Sequence, residues 1–391
     1  MSNSLSASKP ATSHTTTRFS LPVLIAMGVL GDSIILIIPM LVSGWIVDRG
    51  FSEQQAGFLS SIEMCGLAAA SVAGLYWLHR INWRKVAALA LLGIIAGNVI
   101  TLFINDYLLF ASVRSLTGFC SGTLTALAWV AIAQTAQPER NFGFVITAEV
   151  LFAAIALWSL PYLMQQWGVN SAYLLLIFFA TVVFTGISQI PSDHYHADSD
   201  TTNTSHIPWR ALLVLLGLSC FFGAQSAVWT YVERIGDYSG LSADSIGQSL
   251  SLSNAAAITG AFIPVLMGLR FGRLIPIGIN LLAQLAALSI IMSKVDYLSY
   301  VIALSLFNFS WNFIIPYILG LLADIDSSGK AMVVSGIFVW GGFATGPAIA
   351  AWLLNGNGYA VVCAIGAIGC IASFILLTPA AYKLKQLARQ K

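Results

Sequence analysis

The chain has 391 residues, 58% hydrophobic and only 9% charged, with a formal net charge of +2. A soluble domain carries roughly a quarter of its residues as charges because every side is wetted, so a water-soluble globular fold is excluded, and the near-zero balance excludes a nucleic-acid binder. The apolar runs are about twenty residues or longer, the length that crosses a bilayer as helix, and not the ten-residue alternating segments of a β-barrel.

Residues 1–18 are rich in Ser and Thr and read as a disordered cytoplasmic tail. The first apolar run, Phe19 to Val47, is too long for a signal-peptide core and stays as helix 1. Further spans are expected near 54–78, 86–104, 107–134, 142–163 and 171–190. A polar linker, 191–208, separates these from spans near 211–232, 245–269, 274–293, 298–322, 332–354 and 359–382, and a basic tail, 383–391, closes the chain. The organisation is an N-terminal six-helix half over 19–190 and a C-terminal six-helix half over 209–382.

Lys and Arg set the orientation, because cytoplasmic loops retain them. With both termini inside, fourteen fall on the cytoplasmic side, three outside (Arg49, Arg234, Lys294), and Arg114 within a span. The expected location is the inner, cytoplasmic membrane, with multiple passes and both termini cytoplasmic. The five cysteines all fall in apolar spans without a Cys-x-x-Cys, so they read as small buried hydrophobes. His14, His79, His194, His196 and His206 fall in the tail or in loops, where His194-x-His196 is a solvated pair before it is a metal site. No metal or cofactor is expected.

The two halves repeat at a fixed offset of 190 residues: Gly50-Phe-Ser52 aligns with Gly240-Leu-Ser242, Gly57 with Gly247, Arg80 with Arg270, and Asp106-Tyr-Leu with Asp296-Tyr-Leu. Parallel repeats of this kind place a substrate site near the midplane, between the halves.

From Phe19 to Tyr382 the chain resembles the major facilitator superfamily. In helix 4, Arg114-x-x-x-Gly118-x-x-x-Gly122 is similar to the family's intramembrane Arg followed by glycines at helical spacing, which let a neighbouring helix approach closely. After helix 8, Gly268-Leu-Arg270-Phe-Gly272-Arg273 resembles the family's tight cytoplasmic turn, whereas the counterpart with Arg80, Arg84 and Lys85 lacks the usual Asp and Gly. Helix 5 lacks the Gly-Pro element of many drug antiporters, and a similar element, Gly342-x-x-x-Gly346-Pro347, stands in helix 11. The resemblance implies an all-α membrane protein of twelve transmembrane helices in two pseudo-symmetric halves, working by alternating access, with Arg80, Arg84, Arg270, Gly272 and Arg273 in gating loops.

Four ionisable groups lie inside predicted spans: Asp32, Glu63, Arg114 and Glu149. Each costs about 2.5–3.5 kcal/mol at the bilayer centre, so four unpaired ones would cost ~10–14 kcal/mol and must pair or face a cavity. Arg114 neutralises one carboxylate or serves as substrate counter-ion. The remaining two carboxyls suit proton coupling, since desolvation favours a protonated carboxyl. Asp32 is the first choice as carrier, with Glu149 expected as the constant partner of Arg114 and Glu63 as the other candidate. The C-terminal half carries neutral groups instead: Gln225, Trp229, Asn254, Asn308, Trp311 and Asn312 are expected at the substrate cavity, with Trp129 and Trp340.

The leading expectation is a proton-coupled transporter of a small amphipathic molecule, cationic or neutral, driven by the proton gradient and working as a monomer in the lipid bilayer. The alternatives are uptake of an organic acid or nutrient with Arg114 as counter-ion, and a receptor or scaffold without transport. No nucleophile–base or metal constellation points to an enzyme.

Overall fold

The computed structural model describes residues 20–78, 80–135, 137–190, 207–293, 295–326, 330–354 and 358–389. These form α1 (Ser20–Val47), α2 (Glu53–Trp77), α3 (Trp83–Thr101), α4 (Tyr107–Ala133), α5 (Pro138–Trp167), α6 (Asn170–Thr185), α7 (Trp209–Tyr238), α8 (Ala243–Met267), α9 (Leu274–Met292), α10 (Tyr297–Ile325), α11 (Lys330–Leu353) and α12 (Ala360–Arg389), with a 3₁₀ turn at Ile187–Gln189. Eleven are long and apolar enough to cross a membrane, and α6 is a shorter apolar helix of 16 residues. The expected N-terminal tail, most of the linker, the five histidines and Lys294 lie outside the described residues.

The repeat is written into the helix starts. Gly50 and Gly240 adopt φ of 69° and 88°, a left-handed conformation costly for any residue with a Cβ. Each turn delivers a serine N-cap, Ser52 accepting from the Gln55 amide and Ser242 from the Ser245 amide, which satisfies an orphan donor of α2 and α8. Asp106 and Asp296 cap α4 and α10 in the same way. Asp296 stands outside the membrane, and its hydrogen bonds with Ser299 hold its carboxyl below the usual range. The buried faces match too: Ala87, Ala90, Ile94, Gly97, Asn98 and Thr101 on α3 correspond at the same offset to Ile277, Asn280, Gln284, Ala287, Leu288 and Ile291 on α9.

Within the halves, α2 packs on α4 and α8 on α10; between them, α2 meets α11, α5 meets α8 and α1 meets α7. Glycines set the approach. A Cβ on Gly57 would strike the Tyr231 hydroxyl and Ala351, and one on Gly247 would strike Pro161 and the Leu157 carbonyl. Hydrogen bonds seal the end where α2 and α8 begin. The Tyr231 hydroxyl donates to the Glu53 carbonyl at 2.9 Å and the Tyr359 hydroxyl bonds the Glu53 carboxylate, while two turns into α8 Ser251 donates to the Ala154 carbonyl of α5 at 2.8 Å. Burial, and then Glu53, hold the Tyr359 phenol well above its usual range, so it remains a donor.

One helix end differs from expectation. α7 continues to Tyr238, six residues beyond its predicted end at 232, which places Glu233 inside a helix and 6% exposed. The C-terminal half therefore does carry a buried carboxyl, beside the Ser43 hydroxyl of α1. Glu63, ten residues into α2, is 0% exposed.

Candidate functional site

Three small residues bring α2 and α4 into backbone contact. A Cβ on Gly66 would meet the Ser115 carbonyl, one on Gly118 the Glu63 carbonyl, and one on Gly122 the Leu67 backbone at 2.7 Å. This register aims Glu63 at Arg114, and the two form a salt bridge. Arg114 also donates to Asn98 Oδ1 at 2.8 Å, and its guanidinium lies 5.2 Å from the Tyr173 ring centroid. Tyr173 is fixed in turn by the Trp45 indole N–H. With 1% and 0% side-chain exposure, the pair is sealed among α2, α3, α4 and α6. Glu149, the expected partner of Arg114, is not its partner. The expectation rested on α1, α4 and α5 being neighbours and overlooked the glycine-mediated contact of α2 with α4.

Glu149 instead meets Asp32. Gly31 allows α1 to close on α4, where a Cβ would lie 2.9 Å from the Ser121 carbonyl and the Thr125 amide. One residue on, Asp32 Oδ1 accepts from the Thr125 hydroxyl at 2.9 Å, and its carboxyl lies beside that of Glu149. Two neighbouring buried carboxyls favour sharing one proton, because like charges that close resist ionising together. Glu149 Oε1 has no hydrogen-bond partner. Both residues are partly exposed, in contrast to the sealed Arg114–Glu63 pair. The structure thus separates the four charges into a closed ion pair and a more open carboxyl pair.

One turn along α1 from Asp32, the Ile35 carbonyl accepts from the Trp229 indole at 3.0 Å across the two halves. Trp229 begins an aromatic cluster. Trp311 lies 6.4 Å from Trp229, 6.4 Å from Phe222, 6.1 Å from Phe307 and 5.9 Å from Phe343, and Trp340 packs on Phe343 at 5.4 Å. A crevice between the halves, bordered by Ile35, Ser60, Met64, Trp229 and Phe343, joins this wall to α1 and α2.

The other expected cavity residues divide. Asn312 is partly exposed beside Trp311 and donates to the Asn308 carbonyl at 3.0 Å. Asn254 and Asn308 are committed to local bonds instead, Asn254 to the Leu250 carbonyl at 2.8 Å and Asn308 to the Ser253 hydroxyl at 2.7 Å. Gln225 turns away from Trp311, toward Cys370 of α12 at 3.9 Å, and is 0% exposed. Trp129 is 42% exposed and packs on Phe142. Phe222, Phe307 and Phe343 were not singled out from the sequence. Their signal was whole-turn spacing from the chosen tryptophans: Phe307 four before Trp311, Phe343 three after Trp340 and Phe222 two turns before Trp229.

Gly342 and Gly346 bring α11 against the Ser219 and Gly223 carbonyls of α7, with Pro347 following inside the helix. The expected gating arginines bond within their own halves. Arg84 donates to the Ile190 carbonyl at 2.8 Å, and Arg273 pairs with Asp324 at 2.6 Å. Gly272 supplies the turn before α9 with φ of 64°, while Arg80 and Arg270 are exposed.

The sequence matches the Major Facilitator Superfamily over residues 23–339. No curated protein matches it. Among solved structures it resembles the peptide transporter PepTSo (TM-score 0.72, 11% identity, 98% of this chain and 100% of that one). It also resembles the nucleoside transporter NupG (TM-score 0.71, 10% identity, 93% and 99% covered). A third is a bacterial homologue of the human lysosomal transporter Spinster, solved inward-facing and unoccupied (TM-score 0.65, 12% identity, 95% and 96% covered). At these identities the structures establish the shared fold alone. With the family match spanning most of the sequence, the chain belongs to the Major Facilitator Superfamily and is a multi-pass membrane transporter, not an enzyme.

Proposed function

We propose that this transporter couples proton movement to the transport of a small amphipathic organic molecule, a cation or a neutral aromatic compound. One observation carries the reading: a partly exposed carboxyl pair, Asp32 and Glu149, stands one helical turn from the contact between α1 and an aromatic wall built around Trp311. A carboxyl pair holding one proton accepts a cation when that proton leaves, and the aromatic faces stabilise a cation or stack on a planar ring. Proton and substrate then compete for the same charge, which is the linkage a coupled transporter requires.

The sealed end, at Glu53, Tyr231 and Tyr359, would be the outer end, with both termini cytoplasmic in an inner membrane; the fourteen-to-three bias of basic residues supports this. Use of Arg114 as an anion's counter-ion is disfavoured, because Glu63 and Asn98 hold its two terminal nitrogens, Tyr173 lies against its guanidinium, and the pair is sealed from solvent. The test is binding and uphill transport by Asp32→Asn in proteoliposomes. Asn keeps the shape and cannot titrate, so substrate binding should remain measurable while pH-driven accumulation is lost. Accumulation against a gradient by this variant would assign Asp32 a structural role.

A further inference from the structure

The C-terminal half holds a second buried polar cluster, unrelated to the inter-half site. Gln225 (α7), Gln284 (α9) and Ser310 (α10) are 0% exposed, and Asn280 (α9) is 5% exposed. In each, a side-chain oxygen has no hydrogen-bond partner. The four converge. Gln284 reaches the Phe307 carbonyl of α10 at 3.4 Å, Ser310 follows Phe307 by one turn, and Asn280 precedes Gln284 by one turn. Gln225 points to Cys370 of α12, and Cys370 and Asn280 border one crevice with Ser373 and Phe221.

The repeat supplies an internal comparison. At the 190-residue offset, Asn280, Gln284, Ser310 and Gln225 correspond to Ala90, Ile94, Cys120 and Ile35. The fold therefore accommodates apolar side chains at these positions. Packing alone does not call for three amides and a hydroxyl inside a membrane protein, where orphaned polar atoms are costly.

We propose that this chamber is a hydration site, binding ordered water among α7, α9, α10 and α12. Three of the unpartnered atoms are amide oxygens, which only accept, so the ligand must donate hydrogen bonds or carry positive charge. These side chains and the crevice lining include no carboxylate, so a cation would sit uncompensated in hydrocarbon, whereas water donates without that cost. The crevice of about 20 Å³, bordered by Asn280 alone of the four, has room for roughly one water. Because α7 and α10 also carry Trp229 and Trp311, the water joins the helices behind the aromatic wall to α9 and α12.

Hydroxyl-radical footprinting of the full chain in nanodiscs tests this, since radiolysis of bound water modifies residues that bulk radicals do not reach. Cys370 (5% exposed) should react about tenfold faster than Cys363 (1% exposed) on the same helix. The Asn280→Ala/Gln284→Ile variant, carrying the residues of the N-terminal half, should lose most of that difference. Equal rates at the two cysteines in the unaltered protein overturn the proposal, as does an unchanged ratio in the variant. A ratio that depends on replacing choline chloride by sodium or potassium chloride overturns water in favour of a cation. Should the double variant not fold, Ser310→Ala and the Cys370-to-Cys363 ratio in the unaltered protein decide by the same criteria.

Discussion

Replacing Glu63 by Gln should be among the most destabilising single changes in the N-terminal half. Glu63 is the one carboxylate on Arg114, and both are sealed from solvent. The substitution leaves the guanidinium without a counter-charge, held only by neutral oxygens and the Tyr173 ring, in a site water does not reach. Breaking one side of such a pair costs about 3–5 kcal/mol. Arg114→Gln is costly for the mirror reason, since Glu63 Oε2 already lacks a partner. The double variant removes both charges and should be milder than the sum, with a coupling near the top of the ~0.5–3 kcal/mol range for contacting residues. Glu149→Gln combined with Arg114→Gln should instead add to within about 0.3–0.5 kcal/mol, the behaviour of residues with no shared partner. Unfolding in mixed micelles of rising SDS fraction supplies the free energies. Additivity of Glu63 with Arg114, or strong coupling of Glu149 with Arg114, would refute this assignment of the pairs.

Other consequences follow from the close contacts. Gly118→Leu should impair folding or expression, because even a Cβ there meets the Glu63 carbonyl; a variant with unaltered thermal stability and transport would show that α2 and α4 have room to separate. Tyr359→Phe removes the hydroxyl bond to the Glu53 carboxylate, a charge-assisted contact of about 1.5–3 kcal/mol. It should raise thiol labelling of a reporter cysteine replacing Ser60, which borders the crevice between the halves, severalfold, and labelling that stays flat would remove this bond from the seal. Trp311→Ala takes out the centre of the aromatic wall and should weaken binding of aromatic substrates at least tenfold while leaving the Asp32–Glu149 contact in place; unchanged affinity would move the substrate elsewhere.

The fold was nearly complete in the sequence because length, hydropathy and helix-start chemistry are local signals. Gly50-x-Ser52 and its copy at Gly240 were found as a repeat, and they are a left-handed turn followed by an N-cap in both halves. The four charged candidates were equally visible, since a charge in an apolar span stands out. Their pairing was not. Whether Arg114 meets Glu63 or Glu149 depends on which helix faces come together, and that is set by Gly66 and Gly118 across two segments distant in sequence. Helix ends caused the other miss, since a boundary at 232 left Glu233 outside a helix that continues to Tyr238. The polar cluster at Asn280, Gln284 and Ser310 escaped notice because single amides and hydroxyls barely lower the hydropathy of an otherwise apolar span.

The central claim is that protons move with substrate through the Asp32–Glu149 pair. The most direct measurement is proton flux into liposomes containing the purified protein and a trapped pH dye, with no imposed pH gradient, on addition of a cationic or an anionic aromatic compound of similar size. The account predicts a flux with the cation that is absent with the anion and absent for both in Asp32→Asn. A flux driven by the anion, or one with the cation that persists in Asp32→Asn, would contradict it.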